Sequence, residues 1–126
     1  MAAMDNSGDW KSQGLAPLLI GVTGHRDLRH EDVPRLEQQV GEIFADLRQL
    51  YPHIPLVLLS PLAEGADRLA ARVALRAGLT LHAPLPMERV QYAQDFSGAE
   101  SLEEFEQLLR RADQVFVLPP LPTQPG

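Results

Sequence analysis

Two short stretches of this chain combine glycine with charge in a way that could hold a ligand. Thr23-Gly24-His25-Arg26 closes an apolar run, and Glu64-Gly65-Ala66-Asp67 opens an amphipathic one. Gly24 has no Cβ, so backbone there can approach a ligand closely or turn with positive φ. Arg26 can make a forked contact to phosphate or carboxylate. Gly65-Ala66 reads as a helix start, where unpaired N–H groups and the positive dipole end favour an anion. Asp67, in the first turn, can accept from ribose hydroxyls or hold Arg26 in place, and Glu64 stands beside it. Brought together, these residues describe a nucleotide-sized, phosphate-friendly pocket.

Each residue also has a plain structural role. Gly24 can simply turn the chain, and His25 can be a surface or capping histidine. Arg26 can be solvated or paired with Asp27 or Glu31. The helix dipole alone favours an aspartate at position 67. Glu64 and Arg68 read as solvent-facing. The functional reading therefore depends on whether the two stretches share one place in the fold.

The elements that must position them follow from hydrophobic spacing. Residues 18–23, 56–60, 79–86 and 114–118 are short apolar runs of the kind expected for strands buried on both faces. From Asp32 to Leu50, apolar residues recur at Val33, Leu36, Val40, Ile43, Phe44, Leu47 and Leu50, the period of an amphipathic helix. Asp32 suits its N-cap and Pro34 its first turn. A second helix spans 64–78, with an alanine-rich inner face and Gly78 as terminator. A short helix covers 88–94. A longer one starts near Ser101, where Ser101 and Glu104 match a capping box and Leu102, Phe105, Leu108, Leu109 and Ala112 face inward.

Alternation of strand and helix, with right-handed crossovers, predicts an α/β domain: a parallel sheet of at least four strands with helices on both faces. All outgoing strand ends then gather on one edge, where such sheets hold ligands. Residues 1–17 read as a flexible lead-in, 18–118 as the domain, and 119–126 as a proline-rich tail, possible truncation included.

Composition sets limits. The chain has 126 residues, net charge −6, no cysteine, and no apolar stretch long enough to span a membrane. Disulfides and thiolate metal sites are excluded, and the acidic balance disfavours an extended nucleic-acid surface. His25, His30, His53 and His82 are too scattered to suggest a metal site. G-x-G-x-x-G, the P-loop and G-x-S-x-G are all missing, so no cofactor is implied. The opening residues lack a signal-peptide layout, and a cytoplasmic location is the default expectation.

The stretches "IGVTGHRDL", "SPLAEGADRLAA" and "APLPMERVQYAQDFSGAESLEEFEQLLRRADQVFVL" resemble the SLOG superfamily. These are Rossmann-like three-layer α/β domains related to the DNA-processing protein Smf/DprA and to the LOG phosphoribohydrolases. The similarity covers about residues 18–118 and is nearest to bacterial members with a G-H-R loop and a G-A-D helix start. It implies binding of a nucleotide or nucleotide-derived signal, with Gly24, His25 and Arg26 lining the first loop and Gly65, Ala66 and Asp67 forming the helix-terminal anion and ribose site; Thr23 and Glu64 adjoin them as further candidate contacts. It also implies a shared Y-x-x-D-F stretch at Tyr92, Asp95 and Phe96, with Phe96 in the core and the other two as lid or structural contacts.

LOG members cleave the N-glycosidic bond of nucleoside monophosphates through a P-G-G-x-G-T-x-x-E segment. Here the fourth strand runs into Leu118-Pro119-Pro120-Leu121-Pro122 and that segment is missing. Ligand binding or sensing is therefore the leading expectation. Alternatives are an N-glycosidase, with Arg26 on phosphate and Glu64 or Asp67 assisting water, and single-strand DNA binding of the Smf/DprA type, which the acidic balance disfavours. The apolar helix faces would also permit pairing of two copies.

Overall fold

The computed structural model describes residues 16–119. The expected lead-in and tail therefore lie almost wholly outside the described residues. Four strands form one parallel sheet in the order β1 (Leu18–Gly21), β2 (Leu56–Leu59), β3 (Thr80–Leu85), β4 (Gln114–Val117). The register pairs Leu18 with Leu56, Val57 with Thr80, and His82 with Gln114. Between them run α1 (Val33–Leu50), α2 (Ala66–Arg76), α3 (Arg89–Ala93) and α4 (Gly98–Arg111). The α/β architecture with a Rossmann-like parallel sheet is as the sequence predicts.

The placement of the helices differs from the expectation of two covered faces. Each connection steps one strand in the same direction, so crossovers of one hand deliver every helix to the same side. The packing agrees, because α2 touches both α1 and α4. One core joins Phe44 of α1, Leu69, Ala70 and Val73 of α2, and Phe105 and Leu108 of α4 to alternate sheet residues Leu56, Leu58, Leu81, Ala83 and Leu85. Among the described residues the domain is thus two layers. A reversal of strand order would be needed to send a helix to the other face.

Local chemistry explains the element ends. Buried Ala70, Ala71 and Ala74 let α2 lie close to the sheet. Its exit is a Schellman turn: Leu79 N–H donates to Ala74 O and Gly78 N–H to Leu75 O, with Gly78 at φ +82°. α1 packs against α2, and its apolar stripe is only partly covered. Phe44 is buried, whereas Ile43 and Leu50, expected inside, are exposed. α4 begins four residues earlier than the capping-box pattern suggests, so Ser101 lies within the helix and Ser97 occupies the N-cap. The hydroxyl of Ser101 has other work, described below.

No helix among the described residues is long and apolar enough to cross a membrane.

Candidate functional site

β1 and β2 are adjacent and parallel, so their outgoing loops leave the same edge of the sheet. There the two glycine-bearing stretches meet backbone to backbone. Ala66 N–H donates to His25 O at 3.0 Å. Gly65, the N-cap of α2, has φ +89° and ψ −127°, a region essentially reserved for glycine. A Cβ added there would fall inside the carbonyl oxygens of His25 and Arg26, closer than the 3.0 Å that real Cβ atoms respect. A Cβ on Gly24 would lie 2.5 Å from the Cβ of Ala66. Both glycines are therefore contact residues between the loops, beyond any role in turning the chain.

This junction puts Thr23, Gly24, His25 and Arg26, all exposed, on one rim with Glu64, Gly65, Ala66 and Asp67, all half-buried. Two expectations about these residues change. The first N–H of α2 is not free for an anion, because His25 O already accepts it. Glu64 is not solvent-facing: one carboxylate oxygen accepts from Ser97 N–H (3.1 Å), Ser97 Oγ (2.9 Å) and Ser101 Oγ. Its other oxygen lies 3.9 Å from Arg26 Nη2. The Ser101 hydroxyl chiefly, with help from Ser97 and the charge of Arg68, holds the Glu64 carboxyl below the usual carboxylate range against partial burial. Glu64 thus fastens the start of α4 to the start of α2.

Asp67 behaves in the opposite way. Burial pushes its carboxyl up from the ordinary value, while a hydrogen bond from the Ala63 backbone and the charge of Arg26 oppose the shift. The Tyr92 phenol, raised mainly by burial, also feels the charges of Asp67, Arg26 and Arg68. Arg26, Asp67 and Tyr92 therefore share one electrostatic neighbourhood at the rim.

Sequence reasoning missed the residue that organises this region. Arg68 reads as solvent-facing in the sequence, yet it is only 2% exposed. Its Nε donates to Leu62 O at 2.9 Å, and its Nη1 donates to Ser101 O and Oγ, both at 2.8 Å, and to Glu104 at 3.4 Å. Its guanidinium carbon lies 4.4 Å from the centroid of the Phe96 ring, and its buried Nη2 has no hydrogen-bond partner. Phe96, as expected, is core, and forms an aromatic cluster with Tyr92 and Phe105. Tyr92 is structural in its ring.

Leu62 shows why Arg68 is held there. It is fully buried at φ +61°, an unusual conformation for a bulky residue. The strain is opposed from both sides: Leu62 N–H donates to Ser60 Oγ at 3.1 Å, and its carbonyl accepts from Arg68. Ser60 Oγ also donates to the Asp67 carbonyl at 3.3 Å. The loop from Ser60 to Asp67 is accordingly a fixed platform. No local pattern marks Arg68, because apart from Leu62 its partners Phe96, Ser101 and Glu104 come from α4 and the residues just before it, about thirty residues on.

An open depression of about 280 Å³ lies between the starts of α2 and α4, lined by Glu64, Gly65, Arg68, Glu100, Ser101 and Glu104. Three carboxylates against one committed arginine make it unsuited to an anion. A phosphate would have to sit on the Arg26 side of the rim.

Comparison of the chain with protein-family models and with curated proteins finds no match.

Proposed function

We propose that this is a SLOG-type domain that binds or senses a small nucleotide-derived ligand at the carboxyl edge of its sheet. The observation that carries the reading is the direct junction of the two glycine loops. A backbone hydrogen bond from Ala66 to His25, with no room for a Cβ at Gly65, fixes Arg26 and Asp67 on a common rim. An exposed guanidinium suits a phosphate oxygen pair, and a half-buried carboxylate suits the hydroxyls of a ribose. Calorimetric titration with nucleosides and nucleoside phosphates tests this. Binding is expected in the wild-type chain and is lost in Arg26→Ala and Asp67→Asn variants that melt as cooperatively as the parent. No binding by any member of the panel overturns it.

A second reading, hydrolysis of an N-glycosidic bond, has one observation in its favour. A carboxyl pushed up by burial is a better proton carrier near neutrality than an ordinary aspartate, and Asp67 has that property. Glu64 is poorly suited to the role, since three donors hold its carboxylate. Release of free base from nucleoside 5′-monophosphates, abolished by Asp67→Asn, is the outcome this reading requires.

A further inference from the structure

If the rim accepts a nucleotide-derived ligand, the charges around it restrict what that ligand can carry. The arginines toward the carboxyl end of the sheet are largely committed elsewhere. Arg29 pairs with Glu31 and Asp32, Arg89 with Glu106, and Arg72 with Glu104. Arg68 is buried and engaged with Leu62, Ser101 and Glu104. Arg35 pairs with Asp32 as well. Among the described residues of the two glycine loops, Arg26 is the exposed arginine; its side chain is 59% exposed and its ion-pair contact to Glu64 is a long 3.9 Å. Against this single positive charge stand Glu64, kept ionised by its serine donors, and Asp67. The first N–H of α2, a common supplement to such sites, is already taken by His25 O.

We propose that the anionic group this rim recognises is a phosphodiester bearing one negative charge, as in a nucleoside 3′,5′-cyclic phosphate, and that terminal phosphates and polyphosphates are excluded. The proposal rests on the reading of the rim given above and adds its charge selectivity. One guanidinium presents a fork of two N–H groups, and a phosphodiester has two unesterified oxygens, so the stoichiometry matches. A phosphomonoester carries between one and a half and two charges near pH 7, roughly, and offers three oxygens. The surplus charge would face Glu64 and Asp67 without a counter-ion. At the separations of a small rim and an intermediate dielectric, each surplus charge weakens binding by about tenfold or more at low salt.

The test is a calorimetric titration of the wild-type chain at low ionic strength with one nucleoside in five forms: free, 3′,5′-cyclic phosphate, 5′-monophosphate, diphosphate and triphosphate. Adenosine and guanosine series are run in parallel. The cyclic phosphate is expected to bind tightest, with affinity falling about tenfold per added charge along the 5′ series. In Glu64→Gln, checked by its melting curve, the spread between cyclic phosphate and triphosphate is expected to narrow by a similar factor. Equal or tighter binding of the di- or triphosphate overturns the charge inference and leaves the ligand reading standing. Binding of the free nucleoside alone also overturns it. Failure of every compound to bind overturns both.

Discussion

Replacing Gly65 by alanine tests the junction on which the site depends. The substitution adds one methyl group at φ +89°, ψ −127°, directly against the carbonyl oxygens of His25 and Arg26. Holding a non-glycine residue in that region costs about 1–3 kcal/mol. The obstacle is backbone, so the loops must separate, and the Ala66–His25 hydrogen bond, worth about 1 kcal/mol, goes with them. Overpacking adds about 1 kcal/mol or more. Together these make roughly 4 kcal/mol, a large share of the roughly 5–15 kcal/mol expected for a domain. Gly98→Ala is the internal control. It has nearly the same φ, +90°, but nothing within 4 Å of its added Cβ, so only the strain of about 1–3 kcal/mol applies. With a urea slope of about 2 kcal/mol per molar, Gly65→Ala should lower the unfolding midpoint by about 2 M and Gly98→Ala by about 1 M. Equal shifts for the two variants would refute the argument that the loops are in backbone contact.

Other perturbations follow from the same geometry. Arg68→Met removes the donor to Leu62 O and the tie to Ser101; it should destabilise by roughly 2–3 kcal/mol in denaturant titration, less than a fully buried pair would because Glu104 remains partly in water. Glu64 is held below its ordinary 4.5, so it stabilises the fold above that pH and the gain disappears as pH falls through the lowered value; Glu64→Gln should flatten that acid limb of the stability profile. Asp67 has the reverse sign. Raised above 3.8, it costs stability once pH exceeds its folded value, so Asp67→Asn should raise the melting temperature at pH 7 and lose that advantage below about pH 4. Finally, Val115, Phe116 and Val117 of β4 and Leu118 just after it are each 40–45% exposed and carry no charge; such an edge templates strand pairing, so sedimentation is expected to show concentration-dependent association that Phe116→Lys reduces.

Much of the architecture was legible because it is written in local periodicity. The strand ends at Leu18, Leu56 and Gln114 and the α2 terminator at Gly78 fall where apolar runs and a C′ glycine put them. The face on which the helices pack was not legible. It depends on strand order, which no residue spacing encodes, and the alternation β–α–β is compatible with either layering. The rim was partly legible: glycine followed by charge marks both loops, and the fold brings them together. What spacing could not reveal is that the glycines serve loop-to-loop contact. Nor could it reveal that Glu64 reaches across to Ser97 and Ser101, or that Arg68 is drawn inside. Those outcomes follow from α4 lying against α2, and a single helix pattern carries no trace of its neighbour. The shift of the α4 start to Gly98 has the same origin, since a carboxylate from another element serves the N-cap backbone that the capping box would have served locally.

A ligand of this domain is expected to touch the rim formed by the two glycine loops. Amide correlation spectra recorded while adenosine or guanosine 3′,5′-cyclic phosphate is added locate that contact residue by residue. Saturable shifts centred on Gly24, His25, Arg26, Gly65, Ala66 and Asp67, with residues at the opposite edge such as Arg76 and Arg111 unmoved, are the predicted result. Shifts centred elsewhere, or spectra unchanged at millimolar nucleotide, would contradict it.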